Sequence, residues 1–102
     1  MSGQQVQGAS RTLVEELSFS KTNVTGLDWV TYPIMRFKDA PKVTTVVVQQ
    51  LNQPPSGAGE EAMVPVPAAI ANAFFDATGV RIRTYPLTPG RVRATLRAAG
   101  VA

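Results

Sequence analysis

Neither cysteine nor histidine occurs in the 102 residues of this chain. The first absence excludes disulfides, thiolate zinc sites and any iron–sulfur cluster held by the chain itself. The second excludes a Ser-His-Asp triad and imidazole metal ligation. Proton transfer would therefore fall to carboxylates, tyrosines or lysines. No apolar run approaches the roughly 20 residues of a membrane-spanning helix. The opening MSGQQVQGAS lacks the basic start and apolar middle of a signal peptide. Aromatics are sparse, at 7%, and no internal repeat is visible.

What is present is 44% hydrophobic and 17% charged, apolar enough for a packed core and too apolar for wholesale disorder. The length suggests one domain, or part of one, spanning 1–102. A lone domain of this size is only marginally stable, because little of its surface can be buried. The net charge of +3 is unevenly placed, with Arg81, Arg83, Arg91, Arg93 and Arg97 all in the last 22 residues. Such crowding can mark a nucleic-acid face. Only Tyr85 lies among them as a stacking aromatic, which favours a solvated surface or one docked on an acidic partner.

Local patterns predict helix, two or three antiparallel strands, helix, short strand, helix. Val6, Leu13, Val14 and Leu17 fall on one side of a helix over 4–17, which Gly8, Ala9 and Ser10 make slim enough to pack closely against another element or a ligand. Strands are expected at 17–22, at 29–37 with Pro33 marking an edge or bulge, and most strongly at 43–51, VTTVVVQQL. Pro67 and Gly79 bracket a second helix carrying Ile70, Phe74 and Ala77. VRIRTYPL at 80–87 alternates and is expected to be extended. Thr88-Pro89 then opens a last helix to about Ala99. The fold class expected from this order is α+β, with helices packed on a small, mostly antiparallel sheet.

The chemistry concentrates in SGAGEE at 56–61. Gly57, Ala58 and Gly59 would let backbone approach a bulky ligand, and Glu60 and Glu61 follow at once. A helix N-terminus a few residues on favours negative charge nearby, and apolar flanks would partly desolvate a carboxylate and raise its pKa towards a useful base. On residue chemistry alone either glutamate is a candidate base, and a plain surface connection is the commoner use of such a loop. The segment is neither a GxGxxG dinucleotide loop nor a P-loop. Gln4, Gln5 and Gln7 offer amides that can both donate and accept, which suits a heterocycle edge or an oxo group. Asn72 reads as a satisfied polar residue facing a neighbouring element. Trp29, Tyr32, Phe74 and Phe75 read as packing residues.

Taken together and in order, QVQGASRTLVEE, DWVTYPIMRF and SGAGEEAMVPVPAAIANAFFDATGVRIRTYPLTPGRVRATL resemble the C-terminal end of the large, molybdopterin-binding subunit of the xanthine dehydrogenase/aldehyde oxidase family, in its isoquinoline 1-oxidoreductase branch. The combination of GxGE, an AIANA helix and GxRxRxxPLTPxRV is far more specific than GxGE alone. The resemblance implies part of a molybdenum hydroxylase that oxidises aldehydes or electron-poor N-heterocycles with oxygen from water. It implies a molybdopterin cofactor carrying molybdenum, as the plain pterin or the cytosine dinucleotide. The iron–sulfur clusters would be housed in a partner small subunit, and the rest of the pterin-binding subunit would be a second partner. The family's GxGE glutamate lands on Glu60, there the base that takes the proton from the hydroxyl on molybdenum. The glutamine of its QVxG motif lands on Gln5, a cofactor contact, and Gly57, Ala58 and Gly59 would lie against the cofactor. No residue here is implied as a direct metal ligand.

Departures accompany the match. Glu61 stands where many relatives carry proline, and Ala9-Ser10 replaces a glycine-rich pair. The family subunit is several times longer. The chain is therefore expected to be a fragment, a truncated reading frame or one piece of a split subunit, incomplete as an enzyme alone. The other expectation is a non-catalytic α+β interaction or scaffold module that keeps the fold without the chemistry.

Overall fold

The computed structural model describes residues 1–101. Three α-helices form: α1 (Ser2–Leu13), α2 (Val66–Thr78) and α3 (Pro89–Ala98), with one short 3-10 turn at Phe37–Asp39. α2 begins with Pro67 in its first turn, where a missing N–H costs nothing. It stops at Gly79, which adopts the left-handed conformation (φ 69°) and donates its N–H to the Phe75 carbonyl at 2.7 Å. Thr88 caps α3, its hydroxyl oxygen accepting from the Arg91 N–H at 3.4 Å, and Pro89 takes the first helical position.

α1 ends four residues short of the Leu17 expected from periodicity. The cause is tertiary. The Thr12 carbonyl, which a longer helix would use internally, instead accepts the Leu87 N–H at 2.7 Å. Glu15 and Glu16, freed from the helix, hold other segments: Tyr32 Oη donates to Glu15 at 2.8 Å, and Arg91 pairs with Glu16. The small core gathers Ala9 from α1 with Ile82 and Leu87 from the segment before α3. The buried hydroxyls beside them are satisfied, Thr12 donating to the Gly8 carbonyl at 2.6 Å and Ser10 accepting from the Met35 N–H at 2.9 Å.

The α+β expectation is overturned. Among the described residues there is no sheet, and the only strand-like pairing is a single antiparallel bridge between Phe19 and Val24. The predicted strand at 29–37 gives way to a turn built on Asp28, whose Oδ1 accepts from the Val30 and Thr31 N–H groups at 3.0 and 2.8 Å. That local side-chain-to-backbone bonding outcompetes an extended conformation. At 43–51 the β-prone residues find no neighbour: none of the backbone groups from Val43 to Gln49 makes a backbone–backbone bond, and Val46 to Val48 stay exposed. A strand exists only through a partner's ladder, whatever its propensity. Residues 80–87 likewise form no strand, their one tie to another element by backbone being the Leu87 N–H bond to the Thr12 carbonyl.

The radius of gyration is 17.0 Å, against about 13 Å for a compact domain of this length. Large apolar side chains are correspondingly uncovered, Phe37 at 99% and Leu51 at 91% exposure being the extremes.

Candidate functional site

The loop at 56–61 lies wholly on the surface. A Cβ built at Gly57 would meet nothing within 4 Å, and at Gly59 only Glu61 Oε2 at 3.8 Å. Nothing in the chain's own packing therefore demands glycine at either position. Gly57 and Ala58 line an open groove of about 680 Å³ whose other walls include Met1 and Val46 to Val48. Met1 is also the residue whose carbonyl accepts the Gln5 N–H, at 3.3 Å. Met1, the residue before α1, and the Gly57-Ala58 backbone thus border the same space, while Gln5, Gly59 and Glu60 do not line it.

Glu60 sits just beyond that groove. Its carbonyl accepts the Met63 N–H at 2.9 Å, and the Met63 carbonyl accepts the Val66 N–H at 3.1 Å, so consecutive turns carry Glu60 into the start of α2. Both Glu60 and Glu61 are exposed. The partial desolvation expected of the loop's carboxylates is absent from this chain, because its apolar flanks, Val46 to Val48 and Val64, are themselves exposed. Gln5 is half-buried on α1, and the neighbouring Gln4 buries its side-chain Oε1 without a hydrogen-bond partner. A buried amide oxygen left unpaired costs free energy on the order of 1–3 kcal/mol unless a donor reaches it.

The close approach seen at α1 belongs to its neighbour. A Cβ at Gly8 would stand 3.0 Å from Val66 Cβ and 3.2 Å from Met63 Cγ. Gly8 is glycine because α2 and the turn before it pack there. Arg11, one turn on, donates Nη1 to Met63 Sδ at 3.6 Å.

Two features escaped sequence reasoning. A groove of about 530 Å³ runs between α1 and the 29–35 segment, with Arg11, Glu15, Trp29 and Tyr32 along it. Tyr32 donates to Glu15, and that bond lifts its pKa above the ordinary 10.0. The hydrogen bonds from the Thr31 N–H, the Thr31 hydroxyl and the Val30 N–H lower the Asp28 pKa below 3.8. The Tyr32–Glu15 pair joins residues 17 apart and had no local signal, and the Asx turn at Asp28 runs into residues expected to open a strand. The basic C-terminus is partly spent internally. Arg81 donates to Asn72 Oδ1 at 2.8 Å and lies 3.7 Å over the Phe75 ring, and Arg91 pairs with Glu16. Among the described residues no group of three Asp or Glu side chains is placed to hold a metal ion, and no helix is long and apolar enough to cross a membrane.

No family model matches the chain. Individual proteins do. Over 96% of its length it is 45% identical to a nicotinate dehydrogenase subunit of Pseudomonas putida, of which it spans 8%. It is 39% identical over 69% of its length to a putative xanthine dehydrogenase molybdenum-binding subunit of Escherichia coli, of which it spans 10%. It is also 32% identical over 84% of its length to the aldehyde oxidoreductase molybdenum-binding subunit of the same species, of which it spans 13%. The chain thus spans about a tenth of the length of these curated relatives.

Proposed function

The chain is homologous to a segment of the molybdenum-binding subunits of the xanthine dehydrogenase/aldehyde oxidase family, and on that footing we propose that it forms one wall of a molybdenum-cofactor site, with Glu60 as the general base of a hydroxylase. The observation that carries this reading is the empty space over Gly57. Gly57 and Gly59 stand where the chain's own atoms require no glycine, and Gly57 and Ala58 line a groove that also reaches Met1, just before the helix bearing Gln5. Small residues there are explained by a large ligand lying against the backbone.

The residues present fit a pterin-type group in chemistry and in room. Gln5 offers an amide that can donate to an oxo group and accept from a ring N–H. Gly57, Ala58 and Gly59 offer backbone at close range. When bound, the cofactor supplies the two-electron redox chemistry by which an aldehyde or N-heterocycle gains oxygen from water. Glu60 takes on a carboxylate oxygen the proton that the attacking oxygen must lose. Its exposure in this chain leaves it free to face the remaining wall of the site, which would supply the desolvation that sharpens a base. The other nine-tenths of such a subunit would contribute most of the pterin contacts and the substrate pocket. An iron–sulfur subunit would take the electrons away.

A self-sufficient scaffold module is the poorer reading, because a radius of gyration of 17.0 Å and uncovered Phe37 and Leu51 describe a piece that needs further polypeptide around it. The test is made in the complete subunit that contains this segment, purified natively. Molybdenum and pterin are expected in equimolar amount, with at least a tenfold loss of cofactor affinity on Gln5→Leu, which keeps bulk and removes the amide. Unchanged cofactor content and affinity in Gln5→Leu would contradict the assignment.

A further inference from the structure

We propose that Gly8 is a positioning residue for Glu60, acting through Met63 and Val66, an inference that rests on the reading of Glu60 as the base. Glu60, Met63 and Val66 are linked at three-residue intervals by two backbone hydrogen bonds of 2.9 and 3.1 Å, so the turn bearing Glu60 and the first residue of α2 form one rail. Met63 and Val66 are the two residues of that rail that α1 touches at Gly8. Arg11 holds Met63 from the next turn of α1 through its contact with Sδ.

The fit at Gly8 is close. An added Cβ would lie 3.0 Å from Val66 Cβ and 3.2 Å from both Val66 Cγ2 and Met63 Cγ. Ordinary carbon–carbon separations are about 3.5–4.0 Å. The Met63 side chain can swing aside, but Val66 Cβ is fixed to the helix backbone, so the start of α2 must retreat by roughly 0.5–1 Å. Gln5 stands three residues before Gly8 on the same helix, a spacing that puts the two nearly one above the other. One interhelical contact thereby sets the spacing between the amide that contacts the cofactor and the carboxylate that takes the proton. A displacement of about 1 Å in such a pair can cost on the order of 10²-fold in rate.

The experiment uses the complete, cofactor-loaded subunit and four proteins: wild type, Gly8→Ala, Glu60→Gln, and Gly8→Ala combined with Val66→Gly, which removes both Val66 carbons the new methyl would strike. At equal molybdenum content, Gly8→Ala is expected to lower kcat roughly 10- to 100-fold, with KM changed by less than about threefold. In the cofactor-free subunit its Met63 amide, which reports the Glu60 turn, is expected to exchange with solvent faster. The double variant is expected to recover most of kcat and the Met63 protection. It also serves as the test should Gly8→Ala alone fail to fold. Wild-type kcat and Met63 exchange in Gly8→Ala, with turnover lost in Glu60→Gln, would overturn the positioning role and leave the base in place. A loss in Gly8→Ala that Val66→Gly does not relieve would overturn it too. Turnover retained by Glu60→Gln would remove the base itself, and this proposal with it.

Discussion

Gly57→Ala separates the demands of the fold from those of the site. The substitution adds a methyl in open space, with no atom within 4 Å, at a residue whose φ lies outside the left-handed region. The folded chain gains no strain, while the unfolded chain loses freedom. The cofactor-free subunit is therefore expected to be stabilised by about 0.4–1 kcal/mol, read as a rise in the urea midpoint at constant m-value. The same methyl projects about 1.5 Å beyond the backbone a ligand would touch, where carbon contacts need about 3.5–4.0 Å. Retention of the cofactor is expected to fall at least tenfold, about 1.4 kcal/mol. The assay is paired: urea unfolding of the cofactor-free subunit, and cofactor titration of the same preparation by molybdenum content. A variant at least as stable as wild type that fails to hold cofactor supports the cradle. Undiminished cofactor affinity would show that nothing lies against this loop, and marked destabilisation would show that the space over Gly57 is not open.

Gly79→Ala is the converse case. Its φ of 69° places alanine in the left-handed region, and a loss of about 1–2 kcal/mol is expected in the same urea assay with no change in cofactor content. Tyr32→Phe tests the Glu15 bond. The Tyr32 pKa is raised in the fold, so its contribution is fully present below the ordinary 10.0 and lost as pH climbs through the higher folded value. Urea midpoints from pH 8 to 11 should therefore fall more steeply for wild type than for Tyr32→Phe, and identical profiles would remove the bond from the account. The isolated 102-residue chain is expected to self-associate, because exposed Phe37, Leu51 and Val46 to Val48 form more apolar surface than a monomer usually leaves open. A monomer by light scattering at high concentration, with a sharp cooperative melt, would contradict that and revive the scaffold module.

The parts of the fold that the sequence made legible are those decided within a few residues. Thr88-Pro89 and Gly79 mark helix ends through bonds to atoms three or four residues away, and both act as caps. Asn72 was read as satisfied by a neighbour, and Arg81 satisfies it. The strands failed because their signal is incomplete without a second strand. VTTVVVQQL carries the propensity, but among the described residues no other segment offers it a ladder. α1 stopped early for a similar reason, since nothing local announces that Leu87 will take the Thr12 carbonyl. At the site, the resemblance singled out Gln5, Gly57, Ala58, Gly59 and Glu60, while spacing alone could not choose between Glu60 and Glu61. The geometry added what neither gave: the space over Gly57 is empty, and the space over Gly8 is filled by Val66 and Met63.

Turnover of Glu60→Gln against Glu61→Gln, in the complete subunit at equal molybdenum loading, decides whether Glu60 is the base. Glutamine keeps the size of glutamate and removes the basic oxygen, so Glu60→Gln is expected to lower kcat by about 10²–10⁴-fold with substrate and cofactor affinity little changed. Glu61→Gln, altering only a neighbouring charge, is expected to cost on the order of tenfold or less. Near-normal turnover in Glu60→Gln with loss in Glu61→Gln would move the base by one residue, and full activity in both would contradict the assignment of a base to this loop.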